Sequence, residues 1–191
     1  MENIISRFIP CDWSPASVCL KSCHLVELST DDSLYQALQL MVSGPFNKGV
    51  RKIVRVENSY LWAQYLLRKE EYETKGQVRE LELYHDTAES NITSIVETNF
   101  DWRRASRVKF GQGVSFSPSP KYANTHSARS NGKDRAFILA KVLVNVEQQG
   151  SYSMKLPDPG YDTTVGNCRN VYVKYYDDEF YPKYIIYYES G

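Results

Sequence analysis

The chain has 191 residues, and its 23 basic side chains (Lys and Arg) are balanced by 23 acidic ones (Asp and Glu). This length suits one domain with a substantial core, and the zero net charge argues against a protein dedicated to coating DNA or RNA. Fifteen tyrosines and three tryptophans favour strands and stacked pockets over a plain helical bundle.

No apolar run approaches the roughly 18 residues that a membrane span needs, and the N-terminal segment has no apolar signal core. We therefore expect no membrane partner and an intracellular location, nuclear or cytoplasmic. The cysteines, Cys11, Cys19, Cys23 and Cys168, are too few and too unevenly spaced for a disulfide framework. Three of them, together with His24, resemble a zinc set, but the adjacent Cys23 and His24 fit no ordinary zinc-finger spacing. We expect buried thiols and no metal.

The N-terminal stretch shows no sustained periodicity. Residues 1–24 are predicted to be an irregular lead-in, either a tether or an arm packed by Trp13, and residues 25–191 to be the folded domain. Apolar residues then recur at helical spacing from Leu34 to Val42, and Gly44-Pro45 predicts the end of this first helix.

A strand and a second helix follow. The stretch from Val50 to Val56 is rich in β-branched residues and predicts a strand with one solvated face. Asn58 is placed to cap a helix whose apolar face includes Leu61 and Tyr65, and Gly76 predicts its end.

The alternating stretch from Leu81 to Thr87 predicts the strand around which the site is organised. Leu81, Leu83 and His85 share one face, so the histidine lies on the apolar, core-directed side. An inward histidine at a strand end can line a cleft. The alternative is an ordinary core histidine with its hydrogen bonds satisfied.

Basic residues concentrate in the segment that follows. Arg103, Arg104, Arg107 and Lys109 form the densest cationic cluster of the chain, which indicates either a contact to nucleic acid or phosphate, or a solvated loop. The glycines of Gly111-Gln112-Gly113 permit a sharp bend or a close backbone approach, although a lone GxG is a weak phosphate signal.

The C-terminal half is predicted to be rich in strands. Lys121 to Arg129 suggests a helix carrying Tyr122 and His126, and Ala136 to Val146 a central strand. Residues 148–166 are expected to form a long surface excursion. The tyrosine-rich stretches 171–176 and 183–188 are expected to pair as a hairpin. Helices followed by many strands predict an α+β domain built on antiparallel sheet.

Six blocks, in order, resemble the catalytic domain of the poly(ADP-ribose) polymerase family, and specifically its mono-ADP-ribosylating branch, with the CCCH-linked and WWE-linked members most alike. The resemblance covers nearly the whole chain. The blocks are Val26-Glu27-Leu28; Val54-Arg55-Val56-Glu57-Asn58 with Leu61-Trp62; Leu83-Tyr84-His85-Asp86-Thr87; Asn99-Phe100-Asp101-Trp102; Phe110-Gly111-Gln112-Gly113-Val114-Ser115-Phe116; and Tyr181-Pro182-Lys183-Tyr184-Ile185-Ile186.

This resemblance implies the ADP-ribosyltransferase fold, in which split antiparallel β-sheets with flanking helices surround a cleft that holds NAD in active members. It also implies a His-Gly-Thr motif that binds ribose and the nicotinamide amide. Two tyrosines sandwich the nicotinamide ring. A glutamate, or an aliphatic residue in mono-transferases, completes the triad. NAD is the only cofactor implied.

Carried over to this chain, the motif keeps its first and third members, His85 and Thr87, while Asp86 stands where the family has glycine. We expect the Asp86 carboxylate to add bulk and negative charge close to an already negative diphosphate. A like-charge contact near 4 Å costs about 1 to 4 kcal/mol, which lowers affinity about tenfold or more.

The residues expected around the nicotinamide ring are also altered. Ser115 occupies the position of the first stacking tyrosine, and His126 that of the second. Ala123 replaces the serine that bonds the carboxamide, with Tyr122 nearby as a possible substitute. Val171 takes the third triad position, where valine cannot orient a hydroxyl, so poly-ADP-ribosylation is not expected.

These substitutions predict a pseudoenzyme with a degenerate His85, Ser115 and Val171 triad, which has lost NAD binding and acts by binding, most simply to a protein partner. A weak NAD-dependent mono-ADP-ribosyltransferase relying on His85 and Thr87 is the alternative. A nucleic-acid adaptor using the basic cluster, or a cleft adapted to another small ligand, are further possibilities.

Overall fold

The computed structural model describes residues 8–18, 23–46, 48–104, 109–127 and 134–189. It contains four α-helices, nine strands and three short 3-10 turns within these residues. In chain order the α-helices and strands are β1 (His24–Glu27), α1 (Ser33–Phe46), β2 (Val50–Glu57), α2 (Ser59–Lys75), β3 (Arg79–Ala88), α3 (Ile92–Thr98), β4 (Val114–Phe116), α4 (Pro120–Thr125), β5 (Arg135–Val144), β6 (Glu147–Gln149), β7 (Thr163–Gly166), β8 (Val171–Lys174) and β9 (Phe180–Tyr188). The 3-10 turns are Pro15–Val18, Glu89–Asn91 and Trp102–Arg104.

The strands form two sheets. One has five strands in the order β1-β2-β9-β5-β3, and all its pairs are antiparallel. The other has four strands in the order β4-β8-β7-β6, and only its β6–β7 pair is parallel. A two-residue bridge between Tyr84 and Ser117 brings the two sheets together beside β3. The predicted α+β architecture is confirmed.

β5 lies at the centre because it is apolar on both faces. One face, with Ile138 and Val142, packs against α3 and the four-stranded sheet. The other face, with Phe137 and Leu139, packs under α1. A strand buried on both sides reads as a continuous apolar run rather than as an alternation, which is the pattern of residues 136–144.

The first two helices end close to the predicted positions. α1 continues one residue beyond Gly44-Pro45 to Phe46, whose ring meets Phe137 and Tyr188 edge-on at 5.1 and 5.0 Å. Asn58 caps α2 by accepting hydrogen bonds from the backbone N–H groups of residues 60 and 61. Its amide also donates to the carbonyl of Val96 at 2.8 Å, so the cap ties α2 to α3.

Two predictions for the C-terminal half are wrong. β8 and β9 do not pair with each other: β8 lies between β4 and β7, and β9 lies between β2 and β5. Residues 148–166 are not only a surface excursion, because β7 within them is fully buried. The predicted helix at 121–129 ends at Thr125, and Arg129 lies outside the described residues.

A buried charge cluster joins the four-stranded sheet to its surroundings. Lys174 of β8 is completely buried, with its ammonium 2.5 Å from Asp162 and 3.3 Å from Glu179. Tyr72 of α2 donates its hydroxyl to Glu179. Charged groups this deep require close partners, and the bond from Tyr72, 107 positions from Glu179, ties α2 to the cluster.

Residues 8–18 pack on the five-stranded sheet. The Trp13 ring lies 6.1 Å from the rings of both Trp62 and Tyr181. The fully buried Glu57 accepts hydrogen bonds from the Ser17 hydroxyl and from the Ser14 N–H. The described part of the predicted lead-in is therefore held by specific contacts.

Candidate functional site

A cavity of about 380 Å³ opens between the end of β3, the loop after α3, β4 and α4. All the site residues predicted from the sequence line it, although they come from four separate segments of the chain. They are His85, Asp86, Thr87, Ser115, Tyr122, Ala123, His126 and Val171.

His85 lies at this cavity with a defined hydrogen bond. Its Nδ1 is 2.9 Å from the carbonyl oxygen of Ser115, and a carbonyl only accepts, so Nδ1 carries the proton. Burial lowers the pKa of His85, an effect only partly opposed by the Ser115 carbonyl and the Asp86 carboxylate. The imidazole is therefore neutral at pH 7, and its Nε2 is a hydrogen-bond acceptor.

The ring of His85 is fixed by aromatic neighbours. Its centroid lies 5.0 Å from Phe100 and 5.9 Å from Phe116. Leu83 belongs to the same core cluster as these two phenylalanines. The predicted facing of His85 with Leu83 is confirmed, and the ring both packs in the core and lines the cavity.

Asp86 differs from the sequence expectation. Its carboxylate is completely buried and pairs with Arg135, whose Nε lies 2.6 Å from Oδ1. The other oxygen accepts from the Tyr188 hydroxyl at 2.5 Å and from the Asn124 amide at 3.0 Å. The expectation that the Asp86 charge is unpaired is wrong, because the carboxylate forms an ion pair with Arg135. The lower affinity for NAD stays a prediction.

The main chain of Asp86 is also engaged. Both the N–H and the C=O of Tyr84 bond to Ser117, so the same groups of Asp86, two residues on, point toward the same strand edge. The Asp86 carbonyl there accepts the Ser127 hydroxyl at 3.0 Å. Ser127 in turn accepts a hydrogen bond from Arg135. One chain of bonds thus connects the side chain and the carbonyl of Asp86.

Of the two positions predicted to hold a flat ring, Ser115 and His126, only His126 carries one. Ser115 is exposed between the buried Val114 and Phe116 of β4, and it presents only a hydroxymethyl group. Tyr122 and His126 lie against each other, with centroids 4.2 Å apart. The Tyr122 hydroxyl also accepts a hydrogen bond from Asn167. Val171 packs with Phe110 and Val173 and offers no polar atom from its side chain.

The basic cluster lies partly at the cavity. Arg104 and Lys109 line it, whereas Arg103 pairs with Asp101 at 2.6 Å. Arg107 lies outside the described residues. Arg104 and Lys109 therefore line the same cavity as His85.

Close contacts explain why Gly111 and Gly113, before β4, are glycines. Gly111 has φ 131°, and a Cβ there would lie 1.8 Å from the Tyr175 hydroxyl. A Cβ on Gly113 would lie 2.2 Å from the carbonyl oxygen of Lys174. Only glycine permits this approach of the loop to β8.

Sequence reasoning missed Arg135, Ser127, Asn124 and Tyr188, which surround Asp86. The signal for one of them was present, since Arg135 directly precedes the most apolar strand and a buried arginine requires an acid partner. Among the described residues, no three His, Cys, Asp or Glu side chains are grouped to hold a metal, and Cys19 of the considered zinc set lies outside them. No helix in the same residues is long and apolar enough to cross a bilayer.

Comparison with known proteins gives a consistent result. The family model for the Poly(ADP-ribose) polymerase catalytic domain matches residues 34–178. Protein mono-ADP-ribosyltransferase PARP12 is 28% identical over 97% of this chain in its Mus musculus form, and 27% identical over 97% in its Homo sapiens form. Protein mono-ADP-ribosyltransferase PARP14 of Homo sapiens is 28% identical over 93% of this chain. The chain spans 28% of the length of each PARP12 and 11% of PARP14.

Proposed function

This chain belongs to the poly(ADP-ribose) polymerase catalytic domain family, and we propose that it is a pseudoenzyme of that family, which does not use NAD as a donor and acts by binding. The observation that carries the proposal is the hydrogen bond from Ser127 to the Asp86 carbonyl. The family resemblance implies that the main chain at this position receives the nicotinamide carboxamide. An internal hydroxyl already bonds to this acceptor and occupies one of its two lone pairs.

The lining of the cavity supports the same conclusion. A nicotinamide ring is held best between flat aromatic faces, each worth about 0.5 to 1.5 kcal/mol. Ser115 supplies no such face, and Ala123 supplies no polar side-chain atom. Both substitutions remove contacts to the same nicotinamide group, so their effects on NAD affinity reinforce each other.

Val171 affects the reaction rather than the binding. Its side chain is apolar and packed against Phe110, so it cannot orient a ribose hydroxyl or accept a proton from an incoming nucleophile. Chain elongation is therefore not part of the proposed function. The partner that the domain binds in place of a substrate is proposed to be a protein.

The alternative is a weak mono-ADP-ribosyltransferase. His85 supports it, because a neutral imidazole with Nδ1 bonded to Ser115 leaves Nε2 to accept a hydroxyl hydrogen, as ribose binding requires. Thr87 also lines the cavity. In this alternative His85 still binds the ribose, but the pair of aromatic rings that would sandwich the nicotinamide is missing at Ser115.

Isothermal titration with NAD, together with intact-mass spectrometry after incubation with NAD, separates the two. We expect no heat at micromolar NAD and no added mass. Micromolar binding, or a mass increase of one ADP-ribosyl group that disappears in His85→Ala, would overturn the proposal. Circular dichroism of both proteins verifies that the variant remains folded.

A further inference from the structure

We propose that the outer face of α1, formed by Ala37, Leu40, Met41, Gly44 and Pro45, pairs two copies of this chain, with the two helices antiparallel across a two-fold axis. The pairing goes beyond the proposed function, because none of these five residues lines the cavity. Two observations carry it: an exposed apolar stripe, and opposite charges at the two ends of the helix.

The outer face of α1 is apolar although it meets solvent. Ala37, Leu40, Met41 and Gly44 follow the spacing i, i+3, i+4 and i+7, so they share one side of the helix. Leu40 and Met41 are exposed over 73% and 49% of their surface, and Ala37, Gly44 and Pro45 are exposed as well. Other residues of α1 supply the side that packs on the five-stranded sheet.

α1 also differs from its neighbour α2 in charge. Its 14 positions contain no charged residue, whereas α2 carries six charged residues between positions 68 and 75. The solvent side of a helix normally bears polar or charged residues, and a contiguous exposed apolar patch marks an interaction surface. The composition of α1 therefore indicates a face that a second protein surface covers.

The order of residues along this face makes it complementary to itself. An axis midway between Leu40 and Met41 places Leu40 of each copy on Met41 of the other. The same axis places Ala37, three residues before Leu40, opposite Gly44, three residues after Met41. The bulky side chains then meet at the centre, and small residues on either side let the two helices approach closely.

Opposite charges lie at the two ends of α1. Asp31 and Asp32 precede the helix and are exposed, and Lys48 follows it. Asp32 accepts the N–H of Leu34 at 2.8 Å and so caps the helix. Within the described residues, the Lys48 ammonium lies 5.7 Å from the ring of Phe46 and forms no ion pair. One end of the helix is thus negative and the other positive.

The two-fold axis brings these opposite ends together. Lys48 lies seven residues after Met41, and Asp32 lies eight before Leu40. Lys48 of one copy therefore comes within about 1.5 Å of the level of Asp32 of the other, measured along the helix axis. Each pair gains two such contacts. A parallel pair would place acid against acid and base against base, so charge favours a second, antiparallel copy as the occupant of this face.

The pairing is expected to be weak. α1 has 14 residues, so its outer face is about 21 Å long and about 10 Å wide, or roughly 200 Å² in each copy. A stable dimer buries about 800 Å² per copy. α1 alone therefore gives a transient dimer, with a dissociation constant on the order of 100 µM.

The test is sedimentation equilibrium of the whole chain in low salt, from about 10 µM to about 1 mM. We expect a dimer whose fraction rises with concentration. Leu40→Glu should weaken the association at least about tenfold, because it places a charge in the desolvated centre of the pair. Leu67→Glu is the matched control, since Leu67 of α2 is exposed over 74% of its surface. The control should associate as the wild type does.

Charge variants test the antiparallel arrangement. Lys48→Glu makes both ends of α1 negative. Asp31→Lys combined with Asp32→Asn makes both ends positive, and asparagine keeps the capping acceptor. Each variant alone should associate more weakly than wild type, because like charges then meet at both ends. An equimolar mixture of the two should form a heterodimer about as tight as the wild-type dimer. Circular dichroism verifies that all variants are folded.

The possible failures are distinct. A chain that stays monomeric up to about 1 mM overturns the inference and leaves the face to a different partner. Equal effects of Leu40→Glu and Leu67→Glu overturn the assignment to α1. Charge variants that do not associate when mixed overturn the antiparallel arrangement. These variants change no residue within α1, so they keep the test decisive if Leu40→Glu does not fold. Labelling with NAD tests the proposed function separately.

Discussion

Asp86 and Arg135 form a buried ion pair directly beside the cavity, with Nε 2.6 Å from Oδ1 and both side chains almost entirely shielded from solvent. Arg135 begins β5 and Asp86 lies near the end of β3, so the pair fastens two neighbouring strands at the site. Asn124 of α4 bonds to the same carboxylate. The aspartate therefore holds α4, which carries Tyr122 and Ala123, against the sheet.

Removing the cation of this pair is expected to destabilise the fold strongly. Arg135→Met keeps most of the side-chain volume but leaves the Asp86 carboxylate buried without its counter-charge, at a cost of about 3 to 5 kcal/mol. Urea unfolding measures the change. Lys75→Met, which removes an exposed partner of Glu71, should leave the free energy of unfolding almost unchanged. Similar losses in the two variants would contradict the central role of the pair.

The sequence predicted the α+β class and most of the helices and strands, but not the ion pair between Asp86 and Arg135. The alternation from Leu81 to His85 was sufficient to assign the inward face of β3, because period-two burial is a local property. Asp86 and Arg135 are 49 positions apart, so their contact depends on the register between β3 and β5. For this reason, a side chain that the sequence suggests is unpaired, such as Asp86, can be buried in an ion pair in the folded protein.

The wrong hairpin has a similar origin. The predicted strands 171–176 and 183–188 both exist, as Val171–Lys174 and Phe180–Tyr188, and the short connection between them made pairing the natural expectation. In the structure Glu179, just before β9, turns inward to Lys174, and the chain passes from one sheet to the other. Local turn signals do not reveal such a change of sheet.

The stability of the protein should depend on the protonation of His85. Its pKa in the folded state lies below the ordinary value near 6.5, so below about pH 6.5 the unfolded chain binds a proton that the folded one does not. The contribution is fully present above that pH and is lost as the pH falls toward the folded pKa, at up to about 1.4 kcal/mol per pH unit.

The measurement is the free energy of unfolding at pH 7.5 and pH 5.5 for wild type and His85→Gln. Glutamine retains polar atoms but does not titrate in this range, so the variant should lose less stability on acidification. Glu179, whose pKa is raised by burial, acts in the opposite direction in both proteins and cancels in the comparison. Identical pH dependence would show that His85 is not shielded from protonation.

Ser17 is expected to contribute to stability through Glu57. Burial alone would raise the pKa of Glu57, but hydrogen bonds from Ser17, Ser14 and Arg55 outweigh it and hold the pKa below the usual value. Ser17→Ala removes one donor from a buried carboxylate and should cost about 1 to 3 kcal/mol in urea unfolding. Ser90→Ala, at an exposed position, is the matched control and should be nearly neutral. No difference between them would support a lead-in that does not affect the domain.

Lys174 is expected to be essential for joining the four-stranded sheet to the rest of the molecule. Lys174→Met fills the same space but leaves Asp162 and Glu179 without their shared cation, at a cost of about 3 to 5 kcal/mol. Lys183→Met, which removes an ion pair to the exposed Glu82, serves as control and should cost less than about 1 kcal/mol. Equal melting temperatures for the two variants would contradict this prediction.

NAD binding should be recoverable, and the structure identifies which substitutions achieve it. Asp86→Gly alone restores the family residue but leaves Arg135 buried without its acid, so we expect lower stability and no gain in affinity. Ser127→Ala frees the Asp86 carbonyl, and Ser115→Tyr adds a ring at an exposed position of β4. The main-chain carbonyl of Ser115 that bonds His85 is retained in both.

Together, the freed acceptor and the new stacking face are worth about 1 to 3 kcal/mol, or roughly 5-fold to 150-fold in the dissociation constant for NAD. Isothermal titration of the double variant against wild type and each single variant measures the gain, and Ser90→Tyr controls for an added ring elsewhere on the surface. The double variant could keep its melting temperature and still bind NAD no better than wild type. In that case neither the missing ring at Ser115 nor the bond from Ser127 to the Asp86 carbonyl is what excludes the dinucleotide.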